Sequence, residues 1–118
     1  MKALFDTNIL NDYLNGVPDA RTELGRYEGR AISIVTWMEV MVGANEAVAD
    51  ATSDFLHGFS LISFDDGVAR RAVDLRKRYR LKLPDAIIWA SAQVNDMLLI
   101  TRNIKDFPID DPAIRAPY

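Results

Sequence analysis

Several acidic and amide side chains in this sequence fall where short apolar runs stop. Asp6 directly follows Ala3-Leu4-Phe5, Glu39 lies just after the run Ala31 to Val35, and Asp85 follows Pro84 at the start of a long apolar segment. Asn103 and Asp106 follow Met97 to Ile100, just past Thr101. Carboxylates brought together at one end of a sheet repel each other strongly in a low effective dielectric unless a cation sits between them. Their oxygens are hard ligands, and no histidine or cysteine is near them in sequence, so such a site would take Mg²⁺ or Mn²⁺ rather than zinc.

Each position also has a plain structural reading. Thr36-Trp37-Met38-Glu39 matches a capping box, in which Glu39 returns a hydrogen bond to the start of its helix. Asp85 suits the positive end of a helix dipole, and Asp6 with Asn8 could cap a helix. Asp65-Asp66 has the same look and is assigned a structural role, because a third strand at the edge of the sheet would point away from the crevice. Asp85 differs from the others in its company: Leu83, Ala86, Ile87 and Ile88 are apolar, a costly setting for a charge without a partner.

The elements that must carry these residues can be read from periodicity and turn residues. Strands are expected at Ala3 to Phe5, Ala31 to Val35, Ser60 to Phe64 and Met97 to Ile100, with a possible edge strand at Ala113 to Arg115. Helices are expected from Ile9 to near Gly16, Pro18 to about Tyr27, Thr36 to Ala44, Ala49 to His57, Asp65 to about Arg80, and Pro84 to near Asn95. Short apolar strands alternating with helices imply a parallel α/β sheet covered on both faces. Ligands bind such a sheet beyond the carboxyl ends of its strands, where strand order reverses.

Composition narrows the chemistry further. The chain has 118 residues, a formal charge of −3, one histidine and no cysteine. That is one domain, residues 1–118, and thiolate catalysis and zinc-thiolate sites are excluded. With His57 alone, a two-histidine acid-base nuclease is excluded too, and His57 itself is read as structural or superficial. No Gly-rich phosphate loop exists among the six glycines. Trp37, Trp89 and the methionines at 38, 41 and 97 read as core. The apolar run at the N-terminus is too short for a signal peptide or a membrane span, so a cytoplasmic location is the expectation. The charge is also uneven: residues 70 to 82 carry seven basic side chains against Asp74, a local +6, which leaves −9 on the remainder. Arg76, Lys77 and Arg78 in that stretch, and Arg102, could bind an RNA backbone, although Val68, Ala72, Leu75 and Tyr79 at helical spacing equally describe a solvated basic helix face.

The segments LFDTNIL (4–10), SIVTWMEVMVG (33–43), LPDAIIWASAQ (83–93) and LLITRNIKDFP (98–108), in this order, resemble the PIN-domain family, most closely the VapC-type ribonuclease toxins. The resemblance implies a three-layer α/β/α sandwich with a four- or five-stranded parallel sheet, and a Mg²⁺- or Mn²⁺-dependent endoribonuclease. It also implies a small antitoxin partner, which threads the groove, and a homodimer. Carried over by position, Asp6, Glu39, Asp85 and Asp106 would be catalytic, with Asp6, Asp85 and Asp106 on the metal. Asn103 is the other candidate for the last acidic place; otherwise it supports the site with Asn8 and Thr101. Trp89 and Trp37-Met38 are bulkier than usual for the family and could alter substrate access or partner packing. Two rivals are a phosphoacceptor signalling domain, disfavoured by the lone Asp6 and the absence of a late lysine beyond Lys105, and a PIN-like module that binds without catalysis.

Overall fold

A computed structural model describes residues 2–118. Its strands are β1 (Ala3–Phe5), β2 (Arg30–Ser33), β3 (Ser60–Ile62), β4 (Leu98–Ile100) and β5 (Ile114–Arg115). Its helices are α1 (Thr7–Leu14), α2 (Pro18–Gly25), α3 (Ile34–Gly43), α4 (Ala49–Leu56), α5 (Asp66–Tyr79) and α6 (Leu83–Val94). The strands form one sheet in the order β3-β2-β1-β4-β5, every neighbouring pair parallel. The chain builds outward from β1 to β3 on one side, then crosses back to add β4 and β5 on the other. Strand order therefore reverses between β1 and β4, and Asp6 and Thr101 are the residues that follow those two strands.

The sheet sorts its side chains by strict alternation, which sets up the layers. Leu4, Ala31 and Leu99 point into one core with α5 and α6, where Val68, Leu75, Ile88 and Trp89 are buried. Ala3, Phe5, Ile32 and Ile100 point into the other, against Ile9 and Leu10 of α1, Leu24 of α2, Val40 of α3 and Leu56 of α4. Both faces are covered, so the strands can be apolar throughout; each large side chain fully withdrawn from water contributes roughly 1.5–3 kcal/mol.

Several boundaries differ from those expected, each for a local reason. β2 stops at Ser33 because its hydroxyl accepts from the Val35 N–H at 2.9 Å and starts α3 at Ile34, two residues before Thr36. The capping box at Thr36 to Glu39 is consequently not formed at a helix end. β3 ends at Ile62 rather than Phe64, since Asp65 turns the chain and caps α5 by accepting from the Val68 N–H at 2.8 Å. α2 ends at Gly25, two residues short of Tyr27. Trp89 is fully buried, packed on Tyr79 with ring centroids 4.9 Å apart and edge-on to Phe107 at 6.0 Å, so its bulk serves the α5–α6 core. Met38, expected in the core, is 47% exposed.

Candidate active site

Asp6 is the centre of the arrangement. It combines both roles considered for it: Oδ1 caps α1 by accepting from the Thr7 N–H at 2.8 Å, while Oδ2 accepts from Thr101 Oγ1 at 2.7 Å and from Asn8 Nδ2 at 3.2 Å. The backbone N–H of Asp6 donates to the Ile100 carbonyl at 2.9 Å, so the carboxylate is locked to the end of β4 as well as β1. It is 4% exposed. Burial pushes its pKa up to about 6; the bonds from Thr101 and Thr7 hold the rise down, and the charges of Asp85 and Glu39 add to it.

The other acidic side chains surround it from separate elements. Asp85 lies in the first turn of α6, whose cap residue Lys82 makes no side-chain cap bond. The pKa of Asp85 is raised by burial and by the charges of Asp106 and Glu39, with Lys82 acting in the opposite sense. Glu39 reaches back from α3 to accept from Thr7 Oγ1 at 2.6 Å. Thr7 and the fully buried Thr36 are themselves hydroxyl partners at 3.1 Å. A hydroxyl has one proton, so Thr36 donating to Thr7 and Thr7 donating to Glu39 satisfies the whole chain. Asp106 is steadied by Asn103, whose Nδ2 donates to Oδ2 at 3.1 Å and whose Oδ1 accepts from the Asp106 N–H at 3.3 Å. Thr101 completes the link by accepting from the Asn103 N–H at 3.0 Å.

The charges of Asp85 and Glu39 thus act on Asp6, and those of Asp106 and Glu39 on Asp85, from separate segments of the chain, and among the described residues none of the four has a lysine or arginine within ion-pair distance. The donor set fits a hard divalent cation. No three of these carboxylates close into a ready-made protein cage among the described residues.

The basic residues are placed less uniformly. α5 and α6 pack as an antiparallel hairpin joined by Arg80–Lys82, with Arg80 in the left-handed region at φ 56°, so the basic end of α5 lies near Asp85. Arg76 donates to the Leu81 carbonyl and closes the turn. Lys77 and Arg78 are exposed. Arg102 is tied to Asp12 by Nε at 2.7 Å and Nη2 at 3.1 Å. Thr7, Thr36 and Asp12 were not singled out as site residues by sequence reasoning. The Thr36–Glu39 spacing did carry a signal, but it was read as a cap, whereas nothing in sequence joins Asp12 to a residue 90 positions away.

The family profile described as "PIN domain" matches residues 3–108. The chain belongs to the PIN domain family. This PIN domain is 35% identical to "Ribonuclease VapC10" of Mycobacterium tuberculosis, over 98% of this chain and 92% of the relative. It is 31% identical to "Ribonuclease VapC19" of the same organism, over 98% of each. Among solved structures it superposes on a chain of a "Toxin-antitoxin complex from Klebsiella pneumoniae" with TM-score 0.94 and 47% identity, over 99% of this chain and 98% of that one. A chain of VapBC2 from Rickettsia felis shares the fold at TM-score 0.80 and 23% identity, over 97% of this chain and 96% of that one. No helix of the described residues is long and apolar enough to cross a membrane.

Proposed function

We propose that this PIN domain is a divalent-metal-dependent endoribonuclease and the toxin of a type II toxin–antitoxin pair. The observation that carries the reading is the set Asp6, Glu39, Asp85 and Asp106, gathered at the point of strand reversal with none of the four in an ion pair with a lysine or arginine among the described residues. The names of the relatives supply the substrate class: ribonucleases over nearly the full length, and a toxin–antitoxin complex at 47% identity.

Asp6, Asp85 and Asp106 would hold Mg²⁺ or Mn²⁺, directly or through water. When bound, the ion activates water for attack on phosphorus and offsets the charge that builds on the phosphate oxygens. Thr101 and Asn8 orient Asp6 so that this carboxylate faces the crevice in one rotamer. Glu39, held by Thr7, accepts a hydrogen bond from the attacking water and fixes its approach. Asn103 keeps Asp106 turned toward Asp85. The attacking water forms the new P–O bond and gives up a proton to solvent, the phosphodiester P–O bond opposite it breaks, and the leaving oxygen takes a proton from solvent. Lys77, Arg78 and Arg102 hold the RNA backbone, with Arg76 shaping the turn beside them; such contacts set register without reading sequence.

The partner proposed is a small antitoxin whose own Arg or Lys enters the acidic crevice and supplies the missing positive charge. A homodimer and a cytoplasmic location complete the proposal. The test is RNA cleavage by the purified protein: activity with Mg²⁺ or Mn²⁺, none with EDTA, and loss in Asp6→Asn and Asp85→Asn variants that keep their melting transitions. Undiminished metal-dependent cleavage by both variants would refute the assignment, and RNA binding without any cleavage would favour a non-catalytic module.

A further inference from the structure

Asp12 lies on α1 one turn beyond Asn8, and two residues from the far end of the chain share its carboxylate. Arg102 grips it with two prongs, Nε to Oδ2 at 2.7 Å and Nη2 to Oδ1 at 3.1 Å. Tyr118 Oη donates to the same Oδ2 at 2.8 Å. The Asp12 side chain is 15% exposed and that of Arg102 48%, so the carboxylate is the anchored half and the guanidinium keeps one side in water. Arg102 is also pinned through its backbone: its N–H donates to Asn8 Oδ1 at 3.1 Å, and Asn8 Nδ2 donates to Asp6 Oδ2 at 3.2 Å. Arg102 is therefore tied to the acidic centre through its backbone and clamped at its guanidinium.

A guanidinium presents five N–H donors in one plane. Two of them face Asp12, whose other partner Tyr118 also acts on Arg102, and the clamp fixes the plane of the remaining donors, which an anion can use. A free arginine side chain carries about 2 kcal/mol of rotamer entropy, and a clamped one has lost part of it before any ligand arrives. We propose that Asp12, braced by Tyr118, is a positioning residue that presents the remaining donors of Arg102 to an RNA phosphate beside the carboxylates. This inference rests on the ribonuclease reading above. The competing expectation is that Asp12 only cancels the charge of Arg102 and so weakens RNA binding. The two expectations differ in sign.

The experiment measures affinity for a short single-stranded RNA oligonucleotide by fluorescence anisotropy, in EDTA so that the RNA stays intact. Asp12→Asn removes a negative charge yet should bind about fivefold more weakly, because the clamp is lost. Arg102→Lys should weaken binding by a similar factor, since an ammonium cannot use both oxygens of Asp12 and a phosphate at once. Tyr118→Phe should cost about twofold. In an Arg102→Ala background, Asp12→Asn should have no further effect, as coupling through one residue requires. Equal or tighter binding by Asp12→Asn, or additive effects in the double variant, would overturn the inference. If Asp12→Asn does not fold, Arg102→Lys and Tyr118→Phe decide it alone, undiminished binding by both counting against it. A folded wild-type protein that binds no RNA sinks the ribonuclease reading as well, whereas wild-type binding with unaffected variants sinks only this inference.

Discussion

Two sets of acidic side chains, one holding Asp6 at the start of α1 and the other Asp12 within it, behave in opposite ways. Asp12 and Glu23 each meet an arginine: Arg102 forks Asp12, and Arg115 forks Glu23 at 2.7 and 3.2 Å while Tyr27 donates at 3.0 Å. Burial would raise both carboxyls, but the arginine and tyrosine donors outweigh it and their pKa values fall. Asp6 and Asp85 have hydroxyl, amide or no donors and acidic neighbours, and their pKa values rise. Burial acts in the same sense on both sets, so it is the counter-charge that separates them. The first set is neutralised as folded; the second makes no ion pair among the described residues, which is what the proposed metal site requires.

Activity gives the widest separation. Asp85→Asn should lower metal-dependent cleavage by a hundredfold or more, on the order of several kcal/mol in the barrier, measured as initial rates on a labelled RNA. Asp12→Asn should stay within about tenfold in the same assay, since it acts only through Arg102. Comparable losses in the two would erase the distinction.

Stability should invert the ranking. Glu23→Gln strands Arg115 and weakens two further bonds, and should destabilise the protein by about 1–3 kcal/mol in denaturant titrations; the figure is moderated because Arg115 is 36% exposed. Asp6→Asn should instead change the stability of the metal-free protein at pH 7 by less than Glu23→Gln does, because loss of the buried charge offsets the bonds that an amide nitrogen in place of one carboxylate oxygen cannot accept.

The pH dependence follows with a definite sign. Asp6 binds its proton more tightly folded than unfolded, its pKa rising from 3.8 to about 6. The folded metal-free protein should therefore gain stability as pH falls from 7 through 6 toward 4, and Asp6→Asn should flatten that slope. Asp12 and Glu23, depressed in the fold, act oppositely and withdraw their stabilisation as pH falls below the ordinary carboxylate range. Saturating Mg²⁺ should remove the Asp6 penalty and raise the wild-type melting temperature, by about 2.7 kcal/mol equivalent at a hundredfold excess over Kd, with little effect on Asp6→Asn. The smallest effect belongs to the exposed basic end of α5. Lys77→Ala with Arg78→Ala should leave stability within about 0.5 kcal/mol and reduce the salt slope of RNA binding by about one per residue removed.

Much of the architecture is legible in the sequence. The strand cores at Ala3 to Phe5, Ile32, Leu61 and Leu99-Ile100 stand out because their apolar runs are short and bounded by turn residues, and the parallel sheet follows from their alternation with helices. The misplaced boundary at β2 shows where such reading runs out. Ser33 and Thr36 are both able to cap a helix, and only the hydrogen bond from the Val35 N–H decides between them. That decision also changes Glu39: with the helix begun at Ile34, its carboxylate is free of the helix end and turns to Thr7.

The sequence by itself determined which side chains could do chemistry here: carboxylates and amides at strand ends, one histidine, no cysteine. Local spacing suffices for that, because helix and strand periods and capping preferences act over a few residues. Tertiary structure alone decided which carboxylates would be neutralised. Asp6 and Asp12 are six residues apart on one short segment, yet Arg102 reaches Asp12 while Thr101, its neighbour, reaches Asp6. That pairing depends on β4 lying beside β1, and the order in which strands add to a sheet is a property of the whole packed chain.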